Sequence, residues 1–279
     1  MVRRAIVITD CSDENARLRQ ALAWPLFAKT DQPTVVSINN DLEGSGQLVD
    51  ALVEARGSKV VVFCQSAPRD SSATDGNNGT KFGYFWLKQT LVIVSLDGYM
   101  LSQVISTGLL KPETDVWQFS IPEVLAYIVG QKLLEQHEAD VIVRTQFRSL
   151  KFAPRAAGWI LQNIELPKTR FDLGRVLEIS QRIWLVDNFG NCKTSLRLSN
   201  LPLFAEGRIL EVSFGKTVRH ELTCYRDLRS VPQGQAALTV GSSGLEGDEF
   251  LELVVQGVHS GSAAQEFGLA VGSTINIKP

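Results

Sequence analysis

Along the first half of the chain, short apolar runs alternate with segments in which apolar residues recur every third or fourth position. The runs are AIVITD (5–10), TVVSIN (34–39), KVVVFCQ (59–65), YFWLK (84–88) and TLVIVSL (90–96). They are rich in β-branched and aromatic residues, as strands buried on both faces require. The segments between the first three fit helices. Residues 13–27 open with the capping residues Ser12 and Asp13 and carry Leu18, Ala21, Leu22 and Leu26 at helical spacing, while 45–56 carry Leu48, Ala51, Leu52 and Ala55. That order predicts an α/β layer domain with a mostly parallel sheet. A longer helix is expected over 122–136, opened by Pro122 and carrying Val124, Leu125, Ile128, Val129, Leu133 and Leu134, and another over 153–162.

After ELPKTRFDLG (165–174) the pattern changes to short strands and turns: RVLEIS, RIWLVD, KTSLRL, RILEVSF, ALTVG, FLELVV and TINI. This predicts a small C-terminal barrel or sandwich. The expected domains are an α/β layer domain over 1–166 and this β domain over 174–279. The stretch SAPRDSSATDGNNGT (66–80) has no apolar period and reads as a long loop after the third strand, at the sheet end where ligands of open α/β folds bind.

Composition narrows the partners. The chain has 279 residues, 44% hydrophobic and 21% charged, ordinary values for a globular protein with room for two cores. A net charge of −2 and a pI near 6.0, without a Lys/Arg cluster, predict no nucleic-acid partner. MVRRAIVITD holds only a five-residue apolar run, too short for a leader or a membrane span, so a cytoplasmic protein with no membrane partner is expected. Cys11, Cys64, Cys192 and Cys224 contain no CxxC pair, and His137, His220 and His259 lack ligand spacing. Neither a metal, a disulfide framework nor a resident cofactor is therefore predicted.

The densest polar chemistry is VDNFGNCKTSL (186–196). Asp187, Asn188, Gly190 and Asn191 are the residues of a tight hairpin. They also suit a ligand site, in which Asn amides pair with a base, Asp187 accepts from a hydroxyl and Phe189 offers a stacking face. Asp10, at the end of the first strand, is either a helix-entry cap or an acid facing a ligand.

ITD (8–10), VVSINNDL (35–42), LVIVSLDG (91–98), RIWLVDNFGNCKTSL (182–196) and the tail FLELVV…GSAAQEFGLAVGSTINI (250–277) together resemble the S-adenosylmethionine-dependent halide and hydroxide adenosyltransferases. This is the group of the fluorinating and chlorinating enzymes and the S-adenosylmethionine hydrolases. The resemblance implies an α/β layer domain followed by a small β-barrel, a homotrimer, and nucleoside sites between the first domain of one subunit and the second domain of the next. It also implies that Asp187 faces the ribose, that Phe189 and Asn191 face the adenine, and that Asp10 and Asp97 belong to the ligand site.

The departures fall at the chemistry. The Asp-Pro-Gly-Val-Gly run expected after the third strand is replaced by FCQSAPRDSSATDG, and neither RTQFRSLKFAP (144–154) nor WQFSIPEVLAY (117–127) carries the histidine of the hydrolytic members. Water must be polarised and aligned behind the ribose C5′ to displace methionine. The expectation is therefore a protein that binds S-adenosylmethionine or adenosine with weak or no turnover. The alternatives are an active hydrolase that uses replacement residues in 66–80, of which Arg69 and Asp70 are candidates, and a structural subunit with no nucleoside site. The tail also resembles the helix-turn of PDZ domains, but the carboxylate-binding Gly loop of that fold is missing upstream.

Overall fold

The computed structural model describes residues 3–67, 80–215, 218–257 and 262–278. The chain divides into two units, Met1–Leu177 and Glu178–Pro279. The first contains β1 (Arg4–Thr9), α1 (Glu14–Ala23), β2 (Thr34–Ser37), α2 (Asp41–Ala55), β3 (Val60–Gln65), β4 (Phe82–Leu87) and β5 (Thr90–Ser95). These are followed by α3 (Ser102–Ser106), β6 (Trp117–Gln118), α4 (Ile121–Gly130), α5 (Gln136–Arg144), α6 (Arg148–Lys151), α7 (Ala153–Leu161) and β7 (Thr169–Arg170).

The sheet of the first unit has the order β2-β1-β3-β5-β4-β6-β7. Its β2-β1-β3-β5 block is parallel, and β4, β6 and β7 extend it antiparallel. Every residue of β3 and β5 is buried, which explains their unbroken apolar strings. On one face, Val7, Val61, Phe63, Leu91 and Ile93 pack with Trp24, with Val124, Leu125 and Ile128 of α4, with Phe152, and with Ala156 and Ile160 of α7. On the other face, the Cys64 thiol lies 3.5 Å from the Gly44 carbonyl of α2 and 3.2 Å from the Met100 sulfur. The pairing of β7 with β6 keeps residues 169–170 in this unit.

Two helical expectations and one strand expectation are altered. α1 runs on through a π-helical turn, Trp24–Ala28, and turns inward Ala16, Gln20 and Trp24 rather than its leucines. Trp24 buries more surface than a leucine, stands 5.5 Å from Phe63, and satisfies its indole N–H on Gln20 Oε1 at 2.9 Å. The helix expected over 122–136 ends at Gly130, because Lys132 turns left-handed (φ 58°), and a new helix starts at Gln136. RVLEIS forms no strand: Asp172 caps a 3-10 turn over Leu173–Arg175 and the chain then runs irregularly.

The second unit contains β8 (Ile183–Val186), β9 (Cys192–Arg197), β10 (Ile209–Phe214), β11 (Val218–Tyr225), β12 (Ala236–Leu245), β13 (Asp248–Val255), α8 (Ala263–Glu266) and β14 (Ile275–Lys278). The sheet order is β14-β10-β11-β12-β13-β9-β8, antiparallel except between β11 and β12. An antiparallel bridge from Arg182 to Thr274 joins the two ends, giving a nearly closed barrel rather than a peptide-binding groove. Inward residues alternate along the strands: Cys192, Thr194 and Leu196 of β9, Leu210 and Val212 of β10, and Leu251 and Leu253 of β13. β11 escaped the sequence reading because Arg219 and Glu221 interrupt its apolar residues. Among the described residues, no helix is long and apolar enough to cross a membrane.

Candidate functional site

The run at 186–196 folds as the β8–β9 hairpin, and its polar residues build the turn. The Asp187 N–H donates to the Asn191 carbonyl at 3.0 Å, and the Gly190 N–H to the Asp187 carbonyl at 2.9 Å. One carboxylate oxygen of Asp187 accepts from the N–H groups of Phe189 and Asn191, both at 2.9 Å, and the other accepts from the Asn191 amide at 3.1 Å. An ionised carboxylate has about four lone-pair directions, so three are occupied within the turn. Phe189, at the tip, is 75% exposed. Gly190 has φ +78°, and a Cβ there would come within 1.8 Å of the Ser262 Cβ.

That contact unites two motifs some seventy residues apart. Ser262 caps α8 by accepting from the Gln265 N–H at 3.1 Å, and the Ala264 N–H donates to the Gly190 carbonyl at 3.0 Å. The Ser-Ala-Ala tail thus holds the Asp-Asn-Phe-Gly-Asn hairpin in place.

Beneath the hairpin lies a charged group that sequence reasoning missed. The Lys193 ammonium is 3.7 Å from Glu252 Oε1, contacts the Ser243 hydroxyl, and sits 5.7 Å from the centre of the Trp184 ring. Glu252 also accepts from the Ser242 N–H at 3.2 Å. Burial raises the Glu252 carboxyl above its ordinary range, Lys193 opposes that shift, and the charge of Asp187 adds to it. Only the outward position of Lys193 within an alternating strand could have signalled the group.

In the first unit, the carboxyl ends of the parallel strands carry a row of polar groups. Asp10 follows β1, and one of its oxygens accepts from the Ala67 N–H at 2.9 Å and the Ser66 hydroxyl at 3.4 Å. Its other oxygen, Oδ1, is buried without a hydrogen-bond partner, as is the Thr80 hydroxyl. Asp10 is therefore not the cap of α1, a role held by Asp13, which accepts from the Ala16 N–H at 3.1 Å. Two strands along, Asp97 follows β5 and accepts from the Lys81 N–H at 3.0 Å. β1 and β5 flank β3, two strand spacings or about 10 Å apart. The VVSINNDL run is largely structural: Asn40 caps α2 at the Glu43 N–H, and the Glu43 carboxylate returns to the Asn39 N–H at 2.8 Å.

Arg69 and Asp70 lie outside the described residues. Of the described histidines, His137 is in α5, and His220 in β11 packs against Phe214 and Phe267. The Cys64 and Cys192 thiols are poor nucleophiles. Burial, with the charge of Asp10 second, raises Cys64 well above the ordinary thiol range, and burial pushes Cys192 up to about 12.

Residues 181–276 match the family model of the SAM hydroxide adenosyltransferase C-terminal domain, so the resemblance seen in the sequence holds over the barrel unit. No curated protein matches the chain. Two solved structures share the fold over nearly the whole length. An uncharacterized conserved protein from Thermotoga maritima is 15% identical with a TM-score of 0.68, covering 98% of this chain and 100% of that one. A conserved hypothetical protein from Thermus thermophilus is also 15% identical, with a TM-score of 0.61, covering 99% of this chain and 100% of that one. The α/β layer domain followed by a barrel is thus a fold shared with both.

Proposed function

We propose that this protein binds S-adenosylmethionine or adenosine and turns it over weakly or not at all. The observation that carries the reading is the match of residues 181–276 to the SAM hydroxide adenosyltransferase C-terminal domain. The match includes the hairpin that presents Phe189 to solvent. In this reading the adenine stacks on Phe189 and pairs with Asn191, Asp187 uses its remaining lone pair on the ribose, and Asp10 and Asp97 contribute from the first unit of a neighbouring subunit in a homotrimer. The unpartnered Oδ1 of Asp10 is an acceptor suited to a ribose hydroxyl. Weak turnover is supported by the missing Asp-Pro-Gly run and by the absence of a histidine at the described strand ends.

Titration calorimetry with adenosine and with S-adenosylmethionine tests the ligand, and chromatographic assay for adenosine and methionine tests turnover. Binding of either ligand, with adenosine release no faster than without protein, is the expected result. Phe189→Ala and Asn191→Ala are each expected to weaken binding by about 1–3 kcal/mol, the scale of a lost stack or an orphaned polar partner. Unchanged affinity in both folded variants would overturn the site. Adenosine release well above the background rate would overturn the reading of weak turnover. Light scattering that gives a monomeric mass would remove the intersubunit arrangement.

A further inference from the structure

α1 and its π-helical extension present an apolar stripe to solvent. Leu18, Leu22 and Leu26 are 60%, 64% and 59% exposed, on the side opposite the buried Ala16, Gln20 and Trp24. Single exposed leucines are ordinary, but three at a spacing of four residues form a continuous ridge. The ridge is bounded by charge of opposite sign. Glu14, four residues before Leu18, and Lys29, three residues after Leu26, are both exposed. Along its length lie an acid, three leucines and, at the left-handed C-cap of the helical extension, a base.

That order is self-complementary when a second helix of the same sequence lies antiparallel to it. A two-fold axis at Leu22 sets Leu22 against its own copy, Leu18 against Leu26, and Glu14 beside Lys29 at both ends. Such isologous pairing is how identical chains meet about a two-fold. A parallel copy would place acid beside acid and base beside base.

We propose that this face is a homotypic docking surface, on which α1 of a second copy packs antiparallel about a two-fold axis at Leu22. The contact is independent of the nucleoside reading and doubles whatever assembly the chain otherwise forms. A narrow ridge falls short of the roughly 800 Å² per partner of a standard interface, so the pairing should depend on protein concentration.

Sedimentation velocity over a concentration series tests it on the full chain. Wild-type protein should reach twice the mass of Leu22→Asp at the highest concentrations, and Leu22→Asp should raise the dissociation constant at least tenfold. Glu14→Lys and Lys29→Glu should each weaken association, whereas the double variant should restore it by exchanging the charges across the axis. Equal masses for wild type and Leu22→Asp would overturn the proposal. So would a lowered melting temperature in Leu22→Asp without a change in mass, since the stripe would then be covered from within the chain. Failure of the double variant to restore association would overturn the antiparallel two-fold.

Discussion

Two aspartates at the ends of strands behave in opposite ways. Asp187, in the barrel unit, accepts three hydrogen bonds from its own turn and is first of all a builder of the hairpin. Asp10, in the layered unit, uses one oxygen to hold the segment after β3 and leaves the other buried without a partner. A hairpin turn can satisfy most of its polar groups locally, because Asp and Asn side chains reach back to their own backbone. The end of a parallel strand instead faces a crevice, where backbone partners run out and polar capacity is left over. Identical side chains therefore report structure in one unit and unmet chemistry in the other.

The largest expected effect sharpens the first half of that contrast. Gly190→Ala forces a side chain into the left-handed region and against Ser262, so it should destabilise the barrel unit by about 2–5 kcal/mol in chemical denaturation. A loss below about 1 kcal/mol would show that the hairpin is not held by the tail.

The middle effect sets the two acids directly against each other. Asp187→Ala should cost about 2 kcal/mol of stability by removing the acceptor of three donors. Asp10→Ala should change stability by less than about 1 kcal/mol, because the lost bond to Ala67 is offset by removal of an unpaired buried oxygen. It should nonetheless weaken nucleoside binding at least tenfold. If both variants lost the same stability, the distinction between a structural and an unmet carboxylate would fail.

The smallest effect concerns pH. The Glu252 carboxyl is raised in the folded protein by burial, so its stabilising contribution is present below the ordinary glutamate range and is lost as pH rises through the folded value. Between about pH 4 and pH 7, the melting temperature of Glu252→Gln should therefore gain on that of wild type. A difference that stayed constant, or moved the other way, would mean that Lys193 compensates the buried charge in full.

Much of the architecture was legible in the chain. The strings at 59–65 and 90–96 read as two-sided buried strands, and the changed spacing after residue 174 marked a second, all-β part. α1 was legible as a helix but not in its orientation. Its leucines have the periodicity of a core face, yet Trp24 with Gln20 takes the interior, where the indole buries more surface than any one of the leucines and its N–H is satisfied. β11 was hidden by the charges on its outer face, and the helix break after Gly130 depended on one left-handed residue. The hairpin was recognisable as a turn of ligand-site composition, but which groups it satisfies internally was not.

The sequence by itself determined the alternation of the first strands and helices, the two-part architecture and the turn character of the hairpin, because periodicity and turn chemistry act over a few residues. Only the tertiary structure decided that Ser262 and Ala264 support Gly190, that Lys193 faces Glu252 below the hairpin, and that Asp10 retains an unpaired oxygen. Those facts depend on the register between strands and on burial, which residues distant in the chain create together.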